Sequence, residues 1–266
     1  MQRSELRIYG GLLLIGMLAV LALLTGVHRD REPQAFGHYA LIDLGTNTQN
    51  KTKNVPVPGP DMRNRRGQTI EWKELAGGGG VQAILLDHGR SRDLGTLGGK
   101  VSYPIAINGA GEVTGYSVRA DRSLHAFLWQ DGLMQDLGTL GGRCSWAWDL
   151  DARGRVVGEA DTSGGATHAF LYDRGVLTDL GTLGGAESAA RSIDNRGRIV
   201  GEAETLNGDL HAFIYRGGVM TDLNRLTTLP RDWVLTSATK IDDTGRIWGE
   251  GIYHNVCHTF LLTPAS

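Results

Sequence analysis

The chain of 266 residues carries 27 basic and 29 acidic side chains, and its formal net charge is −2. Because the two signs are well mixed along the chain, the sequence offers no basic face for nucleic acid. A repeat that runs from residue 39 to the C-terminus leaves no room for another folded unit, so one repeat domain is expected.

The N-terminus predicts an exported protein. Residues 8–27 form an unbroken apolar run of 20 residues behind Arg3 and Arg7, long enough to span a bilayer as a helix. A signal peptide needs a shorter apolar core and small residues before the cut, and Leu24-Thr25-Gly26 matches poorly. We favour a signal-anchor over a cleaved signal peptide within residues 1–27. The repeats would then be periplasmic or extracellular, tethered to the inner or cytoplasmic membrane through a solvated linker at residues 28–38.

One motif organises the rest of the chain. Asp-Leu-Gly-Thr-Leu-Gly-Gly occurs at 93–99, 136–142 and 179–185, a period of 43 residues, with a weaker copy from Asp222 and an eroded one from Asp43. Each repeat holds four short segments rich in β-branched and aromatic residues, separated by glycine. Four strands joined by hairpins in about 43 residues are the size of one propeller blade.

The turn between the first two segments of each repeat has the sequence pattern Asn/Asp-x-x-Gly. An Asn or Asp there accepts backbone hydrogen bonds, and the Gly supplies the positive φ that closes the turn. We interpret these residues as turn formers and not as catalytic or metal-binding groups. The run from Asp149 to Gly154 resembles a calcium loop but lacks the downstream acidic ligand. The five turns begin at Asn64, Asn108, Asp151, Asp194 and Asp242.

The two chain ends complement each other. The fifth unit stops after its third segment, whereas residues 39–44 match a fourth segment with no partners before it. We predict an all-β fold over residues 39–266: a monomeric five-bladed β-propeller of four-stranded antiparallel blades, closed by the N-terminal strand completing the C-terminal blade. A β-solenoid is the alternative, and the hairpin turns disfavour it. Cys144 and Cys257 fall in non-adjacent repeats, which favours free buried thiols over a disulfide.

The third segments begin His-Ala-Phe at 125, 168 and 211, and His-Thr-Phe at 258. With the Asp-Leu-Gly-Thr-Leu-Gly-Gly motif, they resemble the HAF-repeat family of bacterial extracellular repeat proteins. The resemblance implies export and a repeat scaffold, with no defined activity. The first unit departs from the pattern, with Gln82-Ala83-Ile84 in that place.

The repeated polar residues are interpreted as scaffold. Histidines in equivalent slots of different blades spread around a ring, so they suit hydrogen-bonded spacers better than a metal site. Asp93, Asp136 and Asp179 are expected to accept backbone N–H groups of the following glycine loop. We predict no metal and no cofactor, since no phosphate loop or cofactor fingerprint occurs.

Function is sought where the copies differ. From the fourth-strand Asp to the next turn, the regular units take 15 residues, against 21 after Asp43 and 20 after Asp222. A second set of large side chains near the starts of inner strands could stack on sugar rings. The alternatives are erosion of terminal repeats and aromatic filling of the core between blades. The candidate ligand-binding residues are Lys53, Arg225, Arg231 and Trp233 from the long crossovers, and Tyr103, Trp146, Trp148 and Arg191 from the inner strands.

Two function classes remain open. The first is an exported, non-catalytic scaffold that binds a glycan, a cell-envelope component or a protein through its loop face. The alternative is a glycoside hydrolase-like or other hydrolytic propeller, which would need unrepeated carboxylates near the axis. Asp149 and Asp243 are such carboxylates, whereas Glu159, Glu202 and Glu250 recur at one strand position and resemble structural groups.

Overall fold

Short antiparallel strands joined by tight turns make up nearly all of the computed structural model, which describes residues 38–46 and 62–265. The predicted signal-anchor, residues 28–37 of the linker and the crossover segment 47–61, which carries Lys53, lie outside these residues. Among the helices that the structure describes, none combines the length and the apolar character needed to cross a bilayer.

The strands follow the predicted units in chain order. They are β1 (Tyr39–Gly45), β2 (Thr69–Glu74), β3 (Val81–Asp87), β4 (Arg90–Asp93), β5 (Gly98–Ile107), β6 (Val113–Arg119), β7 (Leu124–Gln130), β8 (Leu133–Asp136), β9 (Gly141–Leu150), β10 (Val156–Thr162), β11 (Thr167–Asp173), β12 (Val176–Asp179), β13 (Gly184–Ile193), β14 (Ile199–Thr205), β15 (Leu210–Arg216), β16 (Val219–Asp222), β17 (Trp233–Ile241), β18 (Ile247–Tyr253) and β19 (Val256–Pro264). A 3-10 turn covers Ala76–Gly78, and the short helix α1 covers Leu223–Leu226.

Units 3 and 4 form separate antiparallel sheets, β9-β10-β11-β12 and β13-β14-β15-β16. Unit 2 pairs β5-β6-β7-β8 in the same way, which confirms the predicted all-β fold of four-stranded antiparallel sheets. Unit 1 contributes β2, β3 and β4, and one parallel bridge between Val81 and Val101 joins it to unit 2. Gly80, just before β3, permits the close approach of β3 to β5, because a Cβ there would lie 1.9 Å from the Lys100 carbonyl oxygen.

The last sheet contains the first and the last of the described strands, in the order β1-β19-β18-β17. Strand β1 pairs antiparallel with β19, from Tyr39 opposite Pro264 to Asp43 opposite Phe260. His258 Nδ1 lies 3.0 Å from Asp43 Oδ1 across this pairing. The N-terminal strand therefore supplies the fourth strand of the C-terminal sheet.

One phenylalanine of the third strand anchors each of the sheets of units 2 to 5, and all four are fully buried. Phe170 of unit 3 packs in a cluster with Ala106 and Leu128 of unit 2, and Phe213 of unit 4 packs with Val157 of unit 3. The core thus lies between neighbouring sheets, where each sheet covers the apolar face of the next. The four residues are Phe127, Phe170, Phe213 and Phe260.

A glycine in the second strand of each of units 2 to 5 makes room for this packing. A Cβ on Gly158 would lie 1.9 Å from the Trp146 carbonyl oxygen and 2.9 Å from the Phe170 ring. The register shift that brings the first strand this close falls beside Gly158, where β9 carries one extra residue. Three other units repeat the glycine, at Gly115, Gly201 and Gly249.

We expect Gly158→Ala to lower the free energy of unfolding by at least about 2 kcal/mol, because the added methyl meets backbone that cannot move independently of the sheet. Urea denaturation of the variant and the parent measures the difference. Gly109→Ala is the matched control, since a Cβ there meets nothing within 4 Å. Equal stability of the two variants would contradict this account of the packing.

Candidate functional site

The two ends of the sheets carry different loops. The Asx-x-x-Gly turns lie at one end, the turn end, whereas the crossovers from fourth to first strands lie at the other, the crossover end. Turn residues of all five units line one cavity of about 440 Å³. The turn residues that line it include Asn64, Asn108, Asp151, Asp194 and Asp242.

The turn residues act as predicted. Asp151 Oδ1 accepts hydrogen bonds from the backbone N–H groups of Arg153 and Arg155, and Oδ2 accepts one from Arg155 Nε at 2.7 Å. Adjacent turns are also joined, because Asn195 N–H donates to Asp243 Oδ1 at 2.9 Å and Asn195 Nδ2 donates to Oδ2 at 2.8 Å. Asp243, one of the two unrepeated carboxylates, therefore links the turns of units 4 and 5.

Asp149, the other unrepeated carboxylate, is only 4% exposed and lies inside a polar network. Its Oδ2 accepts hydrogen bonds from Ser192 Oγ at 2.6 Å and from Lys240 Nζ at 3.2 Å, so it connects the inner strands of units 3, 4 and 5. Burial raises the pKa of Asp149, and Lys240 and Ser192 offset part of that rise. This carboxylate holds three units together and is closed off from solvent.

The repeated histidines pair with the repeated aspartates. The Nδ1–Oδ distances are 2.7 Å for His125–Asp136, 2.8 Å for His168–Asp179 and 2.8 Å for His211–Asp222. Asp136 Oδ1 also accepts the N–H of Gly138, and Asp179 and Asp93 repeat that contact with Gly181 and Gly95. The interpretation as scaffold is therefore supported. In residues 38–46 and 62–265, no group of His, Cys, Asp and Glu is arranged to hold a metal ion.

Of the long-crossover candidates, Trp233 is 6% exposed and stacks on Tyr253 with ring centroids 5.3 Å apart. It packs in the fifth sheet and presents little surface to a ligand. Arg225 lines a cavity of about 570 Å³, and Arg231 is exposed. The Asn224 side chain accepts a hydrogen bond from the Leu235 N–H and donates one to the Leu235 carbonyl. These two hydrogen bonds join the two ends of the crossover.

The cysteines differ in part from expectation. Cys144 and Cys257 are both free, as predicted, but Cys144 is partly exposed and Cys257 is exposed. The expectation of buried thiols was wrong because Cys257 lies at the start of β19, beside the turn at His254 and Asn255, where the sheet edge meets solvent.

Two of the four inner-strand candidates, Trp146 and Arg191, line one cleft of about 350 Å³ toward the crossover end of units 3 and 4, whereas Tyr103 and Trp148 do not line it. Its cause can be traced to one slot, the fifth residue before the turn Asn or Asp. Tyr103 and Trp146 fill this slot in units 2 and 3, whereas unit 4 has Ala189. The residues that line the cleft are Trp146, Glu159, Thr167, Glu187, Ser188, Ala189, Arg191, Glu202 and Leu210.

Arg191 organises the charges of the cleft. Its Nε donates to Glu202 Oε1 at 2.7 Å, another guanidinium nitrogen lies 3.8 Å from Glu159 Oε2, and the group stacks 5.1 Å from the Trp148 ring. Glu202 also accepts a hydrogen bond from Ser237 Oγ at 2.7 Å. Burial raises the pKa of Glu159, and Arg191 offsets only part of that rise.

In units 1 and 2, a cluster of aromatic side chains occupies the positions that correspond to the cleft residues of units 3 and 4. Trp72 is 52% exposed, and its ring centroid lies 5.9 Å from that of Tyr103, which in turn lies 5.4 Å from Tyr116. Trp72 and Tyr116 stand in the slot that Glu159 and Glu202 hold in units 3 and 4, the fifth residue after the turn glycine. Sequence reasoning missed Trp72, although alignment on that glycine would have identified it.

No protein-family model matches the chain, and no curated protein matches it. Among solved structures, TolB from Acinetobacter baumannii is similar, with a TM-score of 0.46 and 13% identity over 79% of this chain and 55% of its own. The β-propeller domain of the Trilobed protease from Pyrococcus furiosus has a TM-score of 0.44 and 9% identity, covering 70% and 60%. The BP39L lectin from Burkholderia pseudomallei has a TM-score of 0.42 and 8% identity, covering 86% and 68%.

The chain thus spans less than two thirds of the first two of these proteins. With TM-scores below 0.5, none of the three says what this chain binds. The candidate site rests on its own geometry.

We expect Asp149→Asn to lower the free energy of unfolding by about 3 kcal/mol, because the buried carboxylate that pairs with Lys240 and accepts a hydrogen bond from Ser192 loses its charge. Adding Lys240→Met should restore part of this loss, and urea denaturation of the two single variants and the double variant measures the coupling. Asp173→Asn is the control, since its exposed pair with Arg174 should contribute little. An undamaged Asp149→Asn variant would contradict a structural role for this carboxylate.

Proposed function

We propose that this chain is a closed five-bladed β-propeller whose crossover end is a non-catalytic binding surface. Two observations support the ring. Turns of all five units line one cavity, and the chain ends share one sheet through the β1–β19 pairing. Closure of this kind removes the free strand edges that an open array would expose.

The binding function rests on the cleft at Ala189. Unit 4 has Ala189 in the slot that Tyr103 and Trp146 fill in units 2 and 3, and the cleft beside it is lined by the partly exposed Trp146 and by Glu159. Concave sites that combine an aromatic surface with a few fixed polar groups are the usual form of small-ligand sites. Arg191 and Glu202 hold each other in place, so the wall of the cleft is already ordered before a ligand arrives.

A glycan is the ligand class that this wall fits best. The face of Trp146 offers a flat apolar surface for a sugar ring, and the Glu159 oxygens can accept hydrogen bonds from hydroxyl groups. The resemblance to the HAF-repeat family and the apolar segment at residues 8–27 support export and attachment to a membrane, where envelope glycans are accessible.

A hydrolase is the second candidate, because Glu159 has a raised pKa and lies near Glu202 across Arg191. Glycoside hydrolases use a pair of carboxyl groups of which one has a raised pKa. Against this role, Glu202 is tied to Arg191 and Ser237, which leaves it poorly placed to attack a substrate.

Ring closure within one molecule can be tested with the variant Ala40→Cys, Thr263→Cys in a background where Cys144 and Cys257 are changed to Ser. These two positions face each other in the β1–β19 register. We expect an intrachain disulfide that raises the free energy of unfolding by about 2–4 kcal/mol, seen on non-reducing gels and by denaturation. Ala40→Cys with Leu133→Cys is the control pair. Disulfide-linked dimers would indicate strand exchange and contradict the closed monomer.

Glycan binding can be tested with Ala189→Trp, which places in unit 4 the residue that unit 3 already has in this slot. The full chain is screened on a glycan array and its ligand is titrated by calorimetry. Ala189→Trp should fill the cleft and weaken binding at least about tenfold, and Trp146→Ala by up to about tenfold through lost stacking. Val176→Trp, on an exposed outer strand, is the control. Unchanged binding to Ala189→Trp would refute the site, and release of cleaved glycan would favour the hydrolase.

A further inference from the structure

The charges around the cleft are unequal. Glu159, Glu187 and Glu202 contribute three carboxylates, whereas Arg191 is the one basic residue among the residues that line it. Arg191 is within ion-pair distance of both Glu159 and Glu202, and its hydrogen bond goes to Glu202. The guanidinium therefore neutralises Glu202 most directly, and the cleft keeps an excess of negative charge.

The remaining two carboxylates are placed differently. Glu159 has a side chain that is 19% exposed, and its closest guanidinium contact is the long one at 3.8 Å. Glu187 is exposed beside the cleft, and within the described part of the chain no Lys or Arg pairs with it. A ligand that enters between them meets one carboxylate deep in the cleft and another near solvent.

Trp146 completes an environment that favours a cation. The face of an indole ring attracts an ammonium group, and the attraction grows when the group is partly removed from water. The carboxylates of Glu159 and Glu187, which line the same cleft, add to it, whereas an acidic sugar would place its own negative charge against them.

We infer that the cleft binds a sugar that carries a free, protonated amino group, such as a glucosamine unit, and rejects uronic and sialic acids. The inference rests on the proposed glycan-binding function and names its ligand class. A sugar is favoured over a lysine side chain because a rigid ring can cover Trp146 while its ammonium meets Glu159, and because ordering a lysine costs about 2 kcal/mol of side-chain entropy.

The test compares three tetrasaccharides on the full-length protein at low salt and at mildly acidic pH, where the amino groups of glucosamine are protonated: glucosamine, N-acetylglucosamine and galacturonic acid tetramers. We expect the glucosamine tetramer to bind about tenfold more tightly than the N-acetylated one, and the acidic one not to bind. Glu187→Gln and Glu159→Gln should each remove most of this preference and leave the N-acetylated tetramer unaffected or slightly improved. Glu250→Gln is the matched control, because Glu250 holds the same strand slot as Glu159 but lies in unit 5 and does not line the cleft.

The outcomes separate the two proposals. Equal affinity for the amino and N-acetyl tetramers, with both lost in Ala189→Trp, would overturn the amine preference and keep the glycan site. Absence of binding by all three would overturn the amine preference, and absence of any ligand on the glycan array as well would overturn both. A tetralysine peptide that binds more tightly than the glucosamine tetramer would overturn the inference in favour of a cationic peptide. A preference that persists in both Gln variants would also refute it, because those carboxylates are its stated cause.

Discussion

The fold depends on the contact between one sheet and the next. Each four-stranded sheet has apolar residues on both faces, so it is stable only when a neighbour covers each face. Phe170 fills the space between units 2 and 3, and it fits because Gly158 has no side chain and β9 bulges toward it. Repetition of this contact explains why glycine and phenylalanine keep their places while other positions vary.

The same contact explains where a ligand can bind. The Phe residues of the core are fully buried and closed to a ligand, and the His–Asp pairs are joined by hydrogen bonds within their sheets. The slot of Ala189 is different, because units 2 and 3 have a large aromatic residue there. When Ala189 replaces the aromatic residue of that slot, the scaffold does not collapse, since the packing around Phe213 is intact. A cleft remains, with Trp146 and Glu159 on its walls.

Polar residues at the centre of the molecule divide into two groups. Asp149, Ser192 and Lys240 form a closed network that links three units, and Asp243 joins two turns. Glu159, Arg191 and Glu202 form a second network, which lies open to a cleft. Asp149 and Asp243 were considered for catalysis because these carboxylates are unrepeated in sequence. The second was considered structural because its glutamates recur. Repetition in the sequence therefore does not separate the two roles.

The sequence by itself determined the strands, the turns and their pairing, since these depend on local chemistry: glycine at positive φ, Asn or Asp in the turns, and alternating apolar residues. It also determined that residues 39–44 complete the last sheet, because a strand without neighbours at one end matched a missing strand at the other. Only the tertiary structure decided which aromatic residues are exposed. Trp233 and Trp146 look alike in the sequence, but Trp233 is covered by Tyr253 and His258, whereas Trp146 borders a space left by an alanine one repeat away. Exposure depends on side chains contributed by other units, and a local pattern does not contain that information.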